Sequence, residues 1–271
     1  MTGSGNDFIL IDNRNGKIDS DRCRDLVKKS CRRKLSVGAD GLILIENDPE
    51  VDFRWRFFNA DGSEAEMCGN GARCAARFAY LNGIVTKERL AFRTMAGVIE
   101  AEILEDKVRI QATSPRELML NLTIESDGRT FLVHFVNTGV PHVVILLNSV
   151  ADLEATEVFR WGRALRYHEH FQPAGTNVNF IAVQDAHQLM VRTYERGVED
   201  ETLACGTGAI ASALITAAHQ RVTSPVQVLT RSQEILTIHF QRQGSDFDDV
   251  RLEGAAKVVY EARLWDETIR S

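Results

Sequence analysis

The sequence predicts an α/β (α+β) chain built from two related halves, and three observations carry that prediction. One short stretch is written twice, as Cys68-Gly69-Asn70-Gly71-Ala72 and as Cys205-Gly206-Thr207-Gly208-Ala209. The likeness extends beyond it. Phe58-Asn59 and Tyr194-Glu195 each end a strand-like run before an acidic turn, residues 94–103 resemble 230–239, and 106–110 resemble 248–252. The offsets agree, at 137 residues from Cys68 to Cys205, 136 from Thr94 to Thr230 and 142 from Asp106 to Asp248, so about half the chain is repeated with drift at one hairpin loop. Lastly, short strand-like runs dominate and helical spacing is confined to a few places. A repeat this long implies two halves of one fold, and 271 residues suffice for two ordinary cores.

In chain order, residues 8–12 are an apolar run after a glycine-rich start and read as a strand. Residues 19–34 carry helical spacing through Cys23, Leu26, Val27 and Cys31. Gly38-Ala39-Asp40-Gly41 turns into a buried-looking strand over 42–46, and 52–59 alternates as a strand should. After the turn at residues 60–63 comes the first cysteine stretch and a helix over 73–80. Residues 91–101 and 107–112 read as a hairpin with Glu105-Asp106 at its turn. Thr113-Ser114-Pro115 punctuates the chain. The expected first domain is therefore 1–113 plus a C-terminal strand from about 257 to 271, carrying Cys68; the second is 114–256, carrying Cys205. In the second, residues 118–124, 130–137 and 143–147 read as strands, 154–166 as a helix, and 178–183 and 188–195 as strands. A polar turn over 197–202 leads into the second cysteine helix, 210–218. Strands follow at 226–230, 235–241 and 250–253, and 256–264 alternates as a last strand.

Composition narrows the function classes. Hydrophobic content of 44% and charged content of 26% are ordinary for a globular chain. A formal charge of −6 with no basic cluster argues against nucleic acid as a partner; the run 28–34 reads as a solvated helix face. No apolar run approaches the ~20 residues that span a bilayer, and the N-terminus has no signal-peptide pattern. The expectation is a cytoplasmic protein with reduced cysteines. Those are Cys23, Cys31, Cys68, Cys74 and Cys205. No C-x-x-C pair occurs and no ligand spacing suggests a metal. Cys23, Cys31 and Cys74 read as small packing residues.

Cys68 and Cys205 stand out because each precedes a helix start. The first N–H groups of a helix lack intrahelical acceptors and carry the positive end of the dipole. They offer an anion, such as a substrate carboxylate, a seat, and they favour the thiolate of an adjacent cysteine. Two such helix ends placed symmetrically at an interdomain cleft would set two acid/base groups about one bound carboxylate. That suits inversion at a carbon, where one group removes a proton from one face while the other delivers one to the opposite face. Nothing in this scheme needs a cofactor.

The sequence resembles the diaminopimelate epimerase family. The matching residues are Gly3-Ser4-Gly5-Asn6-Asp7-Phe8, Asn59-Ala60-Asp61-Gly62-Ser63, Met67 to Arg73, Pro141-His142, Thr176 to Phe180, Tyr194 to Glu199 and Ala204 to Gly208. Each is weak alone; in order and at this spacing they are specific. The resemblance implies pyridoxal-independent epimerisation of LL-2,6-diaminopimelate to the meso form, for lysine and cell-wall precursors. It implies two pseudo-symmetric domains, each a curved, mostly antiparallel sheet around a central helix, with the last strand returning to the first domain, and a homodimer. Cys68 and Cys205 match the acid/base pair, and His142 and Glu195 the residues that tune those thiols. Gly69, Asn70, Gly206 and Thr207 match the backbone donors to the reacting carboxylate. Asn6, Asn59, Asn177, Glu195 and Arg196 match residues that hold the rest of an amino-acid substrate. No metal or cofactor is implied. Two departures stand out: Val140 occupies a position where many members carry a substrate-binding asparagine, and the chain starts almost at the glycine-rich motif. The rival readings are a racemase of glutamate or proline on the same fold, and a redox-switch thiol protein.

Overall fold

The computed structural model describes residues 1–244, 246–265 and 267–270. Ser245, in the Asp- and Gly-rich loop, and Asp266 and Ser271, in the C-terminal segment assigned to the first domain, lie outside the described residues. The chain divides into two compact units, residues 1–110 with 254–271, and residues 111–253. Each is a mixed α/β unit dominated by its sheet, the fold class expected from the sequence.

In the first unit, Asn6–Asp12 runs parallel to Gly41–Glu46, which pairs antiparallel with Phe53–Asn59. Phe53–Asn59 then pairs parallel with Arg89–Thr94, and Gly97–Leu104 and Lys107–Gln111 follow antiparallel. Each parallel step needs a crossover, and helix α1 (Ser20–Ser30) and helix α2 (Gly69–Leu81) supply them. Asp19 caps α1 by accepting from the Arg22 N–H at 2.9 Å. The strand Gly41–Glu46 is apolar without alternation because both its faces are covered. Leu42 and Leu44 join Cys23 and Val27 of α1 and Cys31 just after it in one cluster. Ile43 points to the other face, within 3.2 Å of where a Cβ on Gly71 of α2 would lie. Residues 42–45 are fully buried, each side chain stabilising the unit by about 1.5–3 kcal/mol.

The second unit repeats this plan. Pro141–Leu147 runs parallel to Asn177–Asp185, which pairs antiparallel with Gln188–Glu195. Gln188–Glu195 runs parallel to Val226–Leu229, and Ile235–Gln243 and Asp246–Ala255 follow antiparallel. Two further antiparallel strands, Arg116–Ser126 and Arg129–Asn137, precede the repeat. The crossovers are helices α3 (Val150–Glu154) and α4 (Val158–Arg166), and then helix α5 (Gly206–Ala218). α5 is apolar on every side and buried from Gly208 to Ala217, as a core helix must be.

Several expected boundaries move. The helix expected over 19–34 ends at Ser30. The helix expected over 154–166 is two helices, because the Arg192 guanidinium takes up the carbonyls of Leu153, Glu154 and Thr156 at 2.9–3.1 Å where a continuous helix would use its own N–H groups. The run 91–101 is not one strand: it breaks after Thr94, whose hydroxyl accepts from the Ala96 N–H and donates to the Gly97 carbonyl. The last strand expected over 256–264 is a single bridge between Thr2 and Lys257; Val258, Val259 and Tyr260 are exposed, so alternation there has no buried face to serve.

Candidate active site

The two cysteines occupy the same structural position in their units. Cys68 precedes the first turn of α2 in extended backbone (φ −147°, ψ 115°), and Cys205 precedes α5 likewise (φ −124°, ψ 111°). Their carbonyls accept the first helical bonds, from Ala72 at 2.8 Å and Ala209 at 2.9 Å. A thiol caps a helix poorly beside Ser or Asp, and neither side chain caps here. The opening N–H groups, Gly69 and Asn70 in one helix and Gly206 and Thr207 in the other, have no acceptor a turn earlier. Cys68 is half-buried and Cys205 buried. The Thr207 hydroxyl lies 3.5 Å from the Cys205 sulfur, and its carbonyl accepts from the Thr138 hydroxyl at 3.1 Å. Burial pushes the thiols of Cys23 and Cys31 up to about 11 and that of Cys74 up to about 12, so these three stay protonated packing groups.

In the first unit, the structure joins Asn6 to the start of α2. The Asn70 amide donates to Asn6 Oδ1 at 2.8 Å, and the Asn6 amide donates to Asp40 at 2.9 Å. Asp40 is held in turn by Arg33 at 2.8 Å. Arg73, fully buried, completes the cluster by donating at 2.8 Å to both Ser4 Oγ and Asn70 Oδ1. Asn59 ends its strand opposite Gly41, beside this cluster, and donates instead to the Ser63 hydroxyl at 3.1 Å.

In the second unit, Asn177 donates to the Pro141 carbonyl at 3.0 Å and accepts the Arg196 N–H at 2.8 Å. The Arg196 guanidinium donates to the Ala174 carbonyl at 2.8 Å. Burial raises the Glu195 carboxyl above its ordinary range, and the Thr202 side chain offsets part of the shift. His142 is fully buried, which drives its pKa down to about 3 with help from the Arg196 charge. Its Nδ1 meets the Asn179 amide at 3.1 Å, and its Nε2 is buried with no hydrogen-bond partner among the described residues. Val140 lies in the turn before Pro141, where its carbonyl accepts the Thr138 N–H at 3.1 Å.

Arg73, Ser4, Asn179 and Thr193 were not singled out as site residues in the sequence. Two signals were present. Arg73 is a charge in a helix of small residues, where the second copy of the repeat has Ile210. Asn177 and Asn179 alternate with Val178 and Phe180, which puts both amides on one face of the strand. Among the described residues no group of three or more His, Cys, Asp or Glu side chains is placed to hold a metal ion, and no helix is long and apolar enough to cross a membrane.

The family model described as diaminopimelate epimerase matches residues 1–117 and 134–258. A diaminopimelate epimerase from Aquifex aeolicus is 50% identical, over 99% of this chain and 98% of its own length. One from Hydrogenobaculum is 46% identical, over 97% and 96%. Among solved structures, a phenazine biosynthesis protein of the PhzF family from Enterococcus faecalis shares the fold with a TM-score of 0.68 at 16% identity, covering 95% of this chain and 92% of that one. A hydroxyproline epimerase from Agrobacterium vitis does so with a TM-score of 0.62 at 16% identity, covering 86% and 77%.

Proposed function

The chain belongs to the diaminopimelate epimerase family, and from that premise we propose that Cys68 and Cys205 are the two proton carriers of its reaction, the conversion of LL-2,6-diaminopimelate to the meso form. The observation that carries this reading is the doubling of one device, a cysteine set immediately before a helix start, at equivalent positions of two units with the same strand plan. One thiolate removes the α-proton and the other thiol supplies one from the opposite face, and the roles exchange for the other stereoisomer. The α-proton of an amino acid is weakly acidic, so charge must be stabilised as it moves onto the carboxylate. The N–H groups of Gly69, Asn70, Gly206 and Thr207, backed by two helix dipoles, do this. Glu195 and His142 tune the thiols. Asn6, Asn59, Asn177 and Arg196 hold the amino groups and the distal carboxylate, for which an arginine fork is suited. The Asn6 amide keeps a second hydrogen for substrate beyond the one given to Asp40. We further propose a homodimer working in the cytoplasm; the free thiols of Cys23, Cys31 and Cys74 fit a reducing compartment.

The test is proton NMR of the protein with LL-diaminopimelate in deuterated water, reducing agent present and no cofactor added. The α-proton signal disappears and the meso isomer accumulates. Cys68→Ala and Cys205→Ala each abolish the conversion while the fold survives, and full activity in either variant would rule the mechanism out.

A further inference from the structure

His142 meets Asn179 in an arrangement that decides where the imidazole proton sits. Asn179 is fully buried and held on three sides. One amide group lies 2.8 Å from the Val143 carbonyl, which can only accept, so that group is the NH₂. The other end, Oδ1, accepts the Thr193 hydroxyl at 2.9 Å. It also sits so close to Gly208 of α5 that a Cβ there would collide with it. The same NH₂ faces His142 Nδ1 at 3.1 Å. A proton on Nδ1 would set two donors against each other at that distance. Nδ1 therefore carries the lone pair, and the hydrogen of the neutral ring is on Nε2, the buried nitrogen that has no partner among the described residues. Burial and the Arg196 charge oppose a second proton on the ring.

We propose that Asn179 is a positioning residue that locks His142 in the Nε2–H form, so that His142 serves the reaction as a hydrogen-bond donor to negative charge and not as a base at that nitrogen. The proposal rests on the reading that His142 belongs to the active site. An acceptor bond at Nδ1 polarises the ring and strengthens the opposite N–H as a donor. The Gly208 contact ties this lock to the helix that Cys205 opens: a Cβ on Gly208 would lie 3.3 Å from the Cys205 sulfur while touching Asn179 Oδ1.

Long-range ¹H–¹⁵N spectra of protein labelled at histidine read the tautomer directly. The His142 signal is assigned by its loss in His142→Gln. In the unaltered protein at neutral pH, His142 shows a protonated Nε2 and a bare Nδ1; a protonated Nδ1 overturns the proposal. In Asn179→Ala, with the six other histidine signals retained as the check on folding, the pattern becomes a mixture of tautomers. There kcat falls about tenfold with KM changed less than about twofold. An unaltered His142 pattern in that variant overturns the lock. Full epimerase activity in His142→Gln overturns instead the reading on which the proposal rests, whatever tautomer the spectrum shows.

Discussion

Arg73 raises the cost of burial at the scale of a single side chain. A fully buried guanidinium survives only when its donors are matched, and here Ser4 Oγ, Asn70 Oδ1, the Gly69 carbonyl at 3.3 Å and the Ala255 carbonyl at 3.5 Å surround it. Its service to the site is indirect: by holding Asn70 Oδ1 it aims the Asn70 amide at Asn6. Replacing Arg73 by Met orphans those acceptors and lowers stability by about 2–4 kcal/mol, read from urea unfolding. It also raises KM for diaminopimelate, because Asn6 and Asn70 lose their fixed orientation. Arg73→Lys recovers only part, since an ammonium cannot span the same acceptors. A loss below about 1 kcal/mol in Arg73→Met would contradict the network. The two cysteines were legible in the sequence because glycines and a repeat frame them. Arg73 was legible only as part of a motif, since nothing in a one-dimensional pattern shows that Ser4 and Ala255 close around it.

At the scale of the element, the doubled Gly-x-Gly divides its labour. The sequence suggests that glycines admit a ligand near the backbone. At Gly71 and Gly208 the structure shows packing glycines instead. A Cβ on Gly71 would meet the Ile43 tip at 3.2 Å, Trp55 at 3.4 Å and Phe8 at 3.6 Å, all side-chain ends. On Gly208 it would strike Oδ1 of Asn179, a side chain held in place by one bond at that oxygen and two at its NH₂. Gly208→Ala therefore destabilises the protein by about 1–3 kcal/mol. Gly71→Ala loses less, because alanine returns up to about 1 kcal/mol of helix propensity and its neighbours can move. Thermal unfolding of the two variants checks the order; equal midpoints would contradict it. Most strands were read well because alternation and apolar runs are local signals, the run 91–101 and the terminal run 256–264 excepted. The break between α3 and α4 was not, because Arg192, 36 residues or more away in sequence, makes it.

At the scale of the whole molecule, the repeat is more than a likeness of sequence. Both units run parallel, antiparallel, parallel and twice antiparallel in the same order, with a 13-residue buried helix filling the second parallel crossover. The halves were readable from matching offsets. The two strands ahead of the second copy were readable only as strands, since the pairing that matches Arg129–Asn137 in the first copy, Thr2–Gly3 against Asn6–Asp12, is two residues long and gives no offset to align. In the proposed mechanism, a duplicated fold that supplies one cysteine per copy gives two proton carriers of the same chemical kind, which is what inversion in both directions asks for. The isotope pattern tests this. In deuterated water each resting thiol has exchanged with solvent. The carrier that removes the α-proton from LL-diaminopimelate receives protium, while the opposite carrier delivers deuterium to the other face. Meso product formed early therefore contains solvent deuterium at the inverted carbon, and unreacted LL substrate keeps its protium. A single carrier swinging between the two faces would return the substrate's own protium to the product, or wash deuterium into both isomers at once. Mass spectrometry of the separated isomers at low conversion distinguishes these outcomes. Protium-rich early product would show that the second cysteine does not deliver the proton, however alike the two helix starts are.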